Sequence, residues 1–202
     1  MTGPDFTEFL QRHRKLLIVV FVLIIAGVLA FFAYDKYQRH QVERAAVLYS
    51  ELSDSLASGN DATARASAET LIHDYSATPY ASMARFYLAR LDIDAKQDDK
   101  AEGQLLQLTR QADLPEGMQG LARSALARLY VDNGKNQQAL ELLQKPDGAF
   151  AAVDWELRGD AEAKLRHDDR ARDDYEKAIA HLPASDPYVV YLQMKMANLG
   201  VS

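Results

Sequence analysis

The sequence predicts an all-α protein: a single N-terminal helix apolar enough to cross a membrane, an α-solenoid of helix pairs, and a C-terminal helix that caps the last pair. Three observations carry this reading. Residues 16–34 hold no charged side chain. Beyond them apolar residues recur at three- and four-residue spacing, and no stretch keeps up the alternation a half-buried strand requires. Small and aromatic residues then recur at matching offsets, the small residue of each second helix at Ala101, Ala139 and Ala171, in steps of 38 and 32 residues.

Leu16 to Ala33 is an unbroken run of eighteen apolar residues. As a helix it spans about 27 Å, close to the ~30 Å of a bilayer's hydrocarbon layer. It is longer than the apolar core of a secretory signal, about 7–15 residues, and Phe31 stands where a small residue should precede a cut after Ala33. An uncleaved anchor is therefore expected. Three basic residues flank each side, Arg12, Arg14 and Lys15 before it and Lys36, Arg39 and Arg44 after it. The tighter cluster adjoins the N-terminal side, and long domains translocate largely regardless of charge. The expected division is a cytoplasmic N-terminus at 1–15, a transmembrane anchor at 16–34 and an exported helical-repeat domain at 35–202, a single-pass type II arrangement. Phe31, Phe32, Tyr34 and Tyr37 form an aromatic belt at the outer interface. Ala26, Ala30 and Ala33 share one helical face and are the candidate contact with another membrane helix.

From Tyr34 to Gly59 there is no glycine or proline, so the anchor is expected to run on into a first amphipathic helix over 35–58, its apolar stripe formed by Ala45, Leu48, Tyr49, Leu52 and Leu56. Further helices are expected at 61–75, 80–95, 99–111, 116–132, 136–144, 150–166, 169–181 and 187–198. Asp98-Asp99 and Asp168-Asp169 begin second helices, where carboxylates meet free N–H groups and the positive end of the dipole. The segment from Ala112 to Gly117 reads as a longer loop that absorbs the 38-residue step. Asn133-Gly134 is a turn between helices, and Pro146 cuts the sixth helix short.

The clearest unit starts at Trp155, followed by Gly159, Ala171, Tyr175, Ala178 and Pro183. These offsets resemble the tetratricopeptide repeat, in which small residues sit where two helices cross and aromatic residues fill the space around the crossing. Leu126-Ala127 with Tyr130, Gly134, Ala139 and Leu143 resembles the same unit, and Leu88-Ala89 with Ala101 and Leu105 gives a thinner copy. The tail Tyr188 to Leu199 is apolar on both faces. It is expected to cover the open end of the solenoid, as terminal repeats must, with a methionine-rich partner surface as the other reading.

Composition excludes several function classes. There is no cysteine, hence no disulfide, thiolate metal site or cysteine nucleophile. The chain carries 23 basic and 29 acidic residues, and all but three of the former and two of the latter follow residue 34, which leaves the remainder at −7. Such a domain repels phosphate backbones, so no nucleic-acid partner is expected. No phosphate-cradling glycine loop, metal-binding His-Glu-x-x-His or glycine-flanked serine is present. His167 and His181 have structural places at helix ends. No catalytic set, metal or cofactor is expected, and an enzyme would need a site assembled across repeats around residues such as Glu156 or Asp160.

What the pattern does offer is an inner surface formed by the first helix of each pair. By offset it comprises Met83, Phe86, Arg90 and Ile93, then Leu121 and Arg128, then Glu156, Asp160 and Lys164, apolar at one end and charged at the other. It is the candidate groove for an extended or helical partner segment. The competing reading is that Met83, Phe86 and Ile93 pack within the solenoid.

Leu157-Arg-Gly-Asp-Ala161, the ending Gln193-Met-Lys-Met-Ala-Asn-Leu199, and Tyr37-Gln-Arg-His-Gln41 after the anchor resemble the YfgM-like family, ancillary subunits of the bacterial SecYEG translocon. The resemblance implies a non-enzymatic inner-membrane protein with a periplasmic repeat domain. Its implied partners are the translocon, a membrane-anchored periplasmic chaperone and exported polypeptides. A repeat scaffold that coordinates cell-envelope or cell-division machinery fits the helical domain equally well.

Overall fold

The computed structural model describes residues 4–146 and 148–200, with the side chains of residues 4–14, Leu17 and Glu116 outside that description. Arg12 and Arg14 of the expected basic flank therefore lie outside the described side chains. The described chain is helical throughout: α1 Pro4–Ala57, α2 Asp61–Asp74, α3 Pro79–Asp94, α4 Asp98–Arg110, α5 Glu116–Asp132, α6 Asn136–Leu142, α7 Ala151–Lys164, α8 Asp168–Ala180 and α9 Tyr188–Ala197, with a 3₁₀ turn at Gly148–Phe150. The apolar run and the first solenoid helix are one continuous element. Ala26, Ala30 and Ala33 are exposed on it, as is every described residue from Ile18 to Tyr34. By length and composition this helix could cross a membrane.

Four helix pairs follow one design, and the turn inside each pair shows why. Gly59, Lys96, Gly134 and Arg166 take left-handed backbone angles, with φ of 71°, 59°, 73° and 62°. In each turn two amides reach back over the end of the first helix. Gly134 N donates to Val131 O and Lys135 N to Tyr130 O; Lys96 N donates to Ile93 O and Gln97 N to Asp92 O. This doubled bond is the Schellman closure, which satisfies the helix's last carbonyls. Two of the four left-handed positions lack glycine, so a search for glycine turns finds half of them. The turns recur in steps of 37, 38 and 32 residues, which fixes the number of pairs at four.

Apolar side chains then pack pair on pair. Leu52, Leu71 and Leu88 centre the first cluster; Leu105, Leu108 and Leu126 the second. Each such leucine contributes roughly 1.5–3 kcal/mol by leaving water. Leu157 and Leu143 link the third pair to the fourth. Leu192 of α9 is fully buried against Ala171, Tyr175 and Ala178 of α8, so α9 covers the end of the stack. The α6 helix has only seven residues and ends at Leu142, two residues before the expected 144 and four before Pro146.

Buried carboxylates are each met by a cation. Asp92 accepts from Arg65 Nη1 at 2.6 Å, Asp154 from Ser124 Oγ at 2.5 Å and from Arg123 at 3.3 Å, and Asp174 faces Arg158 Nε at 3.3 Å. These pairs join helices that the apolar clusters have already brought together. The cost of burying such charges offsets much of what their attraction returns, so their net contribution to stability is small.

Candidate functional site

The first helices of successive pairs line the inner face, but not evenly. Helix α1 packs along α3, and α5 along α7, whereas α3 and α5 stand apart. Residues 111–115 connect the second and third pairs and are held by Leu114, which is buried, and by the Gln119 Nε2 donor to Gln111 O at 3.1 Å and to Leu114 O at 3.2 Å. Ser82 Oγ donates to Gln111 Oε1 at 3.2 Å from the α3 side. Between α3 and α5 lies a groove of about 520 Å³.

Met83, Phe86, Tyr87, Ala89, Arg90 and Ile93 of α3 line one wall, Met118, Leu121 and Ala125 of α5 the other, with Tyr49 of α1 and Leu105 of α4 completing it. Of the residues expected from the sequence, Met83, Phe86, Arg90, Ile93 and Leu121 are thus brought together. The two readings of Phe86 and Ile93 prove compatible, because both are half-buried against the second core cluster while presenting one edge to the groove. Leu121 is 45% exposed, a large apolar side chain that the fold does not cover. Tyr49, which the sequence places only on the apolar stripe of the first amphipathic helix, and Met118 were not foreseen as groove residues. Tyr49 stacks near Tyr80 and Tyr87, with ring centroids 5.3 and 6.1 Å away, and its hydroxyl lies 3.4 Å from that of Tyr87. Burial, then the Tyr87 hydroxyl, pushes the Tyr49 phenol up to about 12.

The charged half of the expected surface is placed differently. Arg128 is exposed on α5 but outside the groove lining, and Lys164 is exposed with its ammonium donating to Val131 O at 2.5 Å. Glu156 and Asp160 do not face an open groove, because α9 lies over them. Lys195 Nζ donates to Glu156 Oε1 at 2.7 Å and to both Asp160 carboxylate oxygens at 2.7 and 2.8 Å. Tyr188 donates its hydroxyl to Glu156 Oε2 at 2.8 Å, and Tyr175 donates to Asp160 Oδ1 at 2.7 Å. Glu156 is 1% exposed. Offset correctly puts both carboxylates on the inner face, but it cannot say that the chain's own last helix occupies that face.

The electrostatics follow. Burial works against the Lys195 ammonium, but the bonds to Asp160 and Glu156 outweigh it and hold its pKa above the usual lysine range. Burial and the Glu156 bond push the Tyr188 phenol up to about 12. Val190 and Met194 remain exposed, as does Tyr191, whose ring lies beside that of Tyr188 at 5.1 Å and 5.0 Å from the Lys195 ammonium. His167 lies 2.6 Å from Glu162 at the start of α8, and His181 Nδ1 lies 2.8 Å from Lys177 O at its end. Among the described residues no group of three or more His, Asp or Glu is placed to hold a metal ion.

A crystal structure of nearly identical tetratricopeptide-like repeats from a Podosopora anserina protein, described as a kinesin light chain, superposes with a TM-score of 0.62 at 20% identity, over 79% of this chain and 86% of that one. At that identity the likeness is one of fold. No curated protein matches the chain. The model of the tetratricopeptide repeat-like domain matches residues 7–201. That match spans the apolar helix, all four pairs and α9. The chain belongs to the tetratricopeptide repeat-like domain family.

Proposed function

We propose that this protein is a membrane-anchored, non-enzymatic adaptor that binds a partner polypeptide segment in the groove between α3 and α5. The groove itself carries the reading: it is apolar, open, lined from four helices, and lies in a fold whose repeats generally serve protein interaction. On the resemblance of Leu157–Ala161, Gln193–Leu199 and Tyr37–Gln41 to the YfgM-like family, the partners are the SecYEG translocon and a membrane-anchored periplasmic chaperone. The clients are then exported chains, and the repeat domain faces the periplasm.

Photo-crosslinking in native membrane vesicles tests this. A photoreactive residue placed at Met83 reports on the groove, and one at Ala26 or Ala30 reports on the anchor. Adducts with translocon or chaperone subunits from either position support the adaptor reading and show which part makes the contact. Adducts solely with cell-division or cell-wall proteins would transfer the scaffold to another machine.

A further inference from the structure

The stretch of α1 between the anchor and the solenoid has a property that the binding of a segment does not by itself require. No glycine or proline interrupts the chain between Gly27 and Gly59, and the first fully buried residue after the anchor is Ala45. Residues 34–44 therefore form helix with little tertiary support, where an isolated helix is marginal. They supply their own support. Gln38 Nε2 donates to the Tyr34 hydroxyl at 2.7 Å, Arg39 Nε to Asp35 Oδ2 at 2.9 Å, and Gln41 Nε2 to the Tyr37 hydroxyl at 2.5 Å. These are overlapping links one turn apart, the geometry that stiffens a helix surface. Above them Tyr49 is wedged between Tyr80 and Tyr87 of α3, so the direction of α1 is passed to the groove wall without a hinge.

Resting on the groove and on the anchor as read above, we propose that this stalk is a spacer of fixed length. It holds the groove at a set height so that it takes an apolar, carboxylate-bearing segment lying close to the membrane surface, in a partner that is itself membrane-inserted. Tyr49 lines the groove and follows Tyr34 by 15 residues, about 22 Å along the helix. An extended chain leaving the membrane covers that height in about seven residues. The carboxylate follows from charge: among the described residues lining the groove Arg90 alone is charged. Its partner Asp94 is 3.9 Å away, with both side chains more than half exposed, so the pair is loose and readily exchanged.

The test reconstitutes the full chain, with a photoreactive residue at Met83, in vesicles with single-span reporters. Each reporter carries an apolar stretch with one Asp, set about 4, 8, 16 or 32 residues beyond its membrane helix, spacings that bracket the calculated reach. Capture is expected to peak near eight. Inserting about 18 residues of helix after Gln41, five whole turns that preserve the face, raises the groove by about 27 Å and moves the peak to about sixteen. The double variant Arg39→Gly with His40→Gly keeps the length but frees the stalk, and its profile should broaden. A peak that stays put on insertion, or a profile as sharp in the glycine variant, overturns the spacer. Replacing the reporter's Asp by Lys should lower capture severalfold, and Arg90→Glu should reverse that preference; indifference to charge overturns the stated partner chemistry. Capture that is equal at every spacing leaves the groove standing and removes the spacer. No capture from any reporter removes the groove reading itself.

Discussion

Tyr175 occupies the place where a side chain on Gly159 would be: a Cβ built on that glycine would lie 2.5 Å from the ring's Cε1 and 2.6 Å from its Cδ1. The ring is not free to swing away, because its hydroxyl donates to Asp160 at 2.7 Å and its body is buried in the cluster under α9. Gly159→Leu should therefore separate α7 from α8 and cost about 1–3 kcal/mol, the usual penalty of overpacking. Thermal unfolding of the full chain in detergent, followed by circular dichroism, should show a melting point several degrees lower. An unchanged melting point would mean that this crossing does not set the packing of the last pair.

Lys195 holds α9 onto α7 through two carboxylates, and its loss leaves Glu156 buried without its cation. Lys195→Met should destabilise the protein by about 3–5 kcal/mol, as removing one member of a buried pair does. Adding Glu156→Gln should recover part of that loss, because the uncompensated charge is gone. Equal melting points for the single and double variants would contradict this account. Reversing the charge of Glu156 and Asp160 is likewise expected to undock α9.

High pH should loosen the same contact. Tyr188 has its folded pKa raised to about 12 from an ordinary 10, and Lys195 is raised above its ordinary value. A raised folded pKa contributes stability that is complete below the unfolded value and is lost as pH climbs through the folded one. Stability should hold to about pH 10 and fall between about 10 and 12. In Glu156→Gln the Tyr188 phenol should ionise at lower pH, which ultraviolet absorbance of phenolate detects; titration at the wild-type position would show that Glu156 does not hold it.

Lys96 spends a left-handed backbone angle without being glycine, φ 59°. Lys96→Gly should raise stability by up to about 1 kcal/mol, while Gly134→Ala at the equivalent turn should lower it by a similar amount. Denaturant midpoints of the two variants moving in the same direction would break the equivalence of the turns.

Leu121→Glu alters an exposed groove residue and should leave the melting point nearly unchanged, yet abolish crosslinking of partner segments from Met83. Retained crosslinking would place the binding surface elsewhere, with the exposed Val190, Tyr191 and Met194 of α9 the next candidate.

Periodicity, small residues and helix breakers act locally, and what they govern was legible in the sequence. The apolar run placed a long helix, Ala45 to Leu56 placed its continuation, Pro146 marked the early end of α6, and Gly159 with Tyr175 marked a close crossing. Each of these is fixed by contacts within a turn or within one helix pair. The turns at Lys96 and Arg166 were placed by the Asp98-Asp99 and Asp168-Asp169 that follow them, but their left-handed angle goes with the Schellman bonds and is not signalled by glycine. The groove was half visible: a repeat offset puts Met83, Phe86, Arg90, Ile93 and Leu121 on the inner face. Only the tertiary structure shows that α3 and α5 leave a gap there, and that Tyr49 and Met118 come to it as well. It alone also decides that Glu156 and Asp160 are covered, because a spacing within α7 fixes which way those carboxylates point but carries no information about where α9, returning after Pro183, will set Lys195.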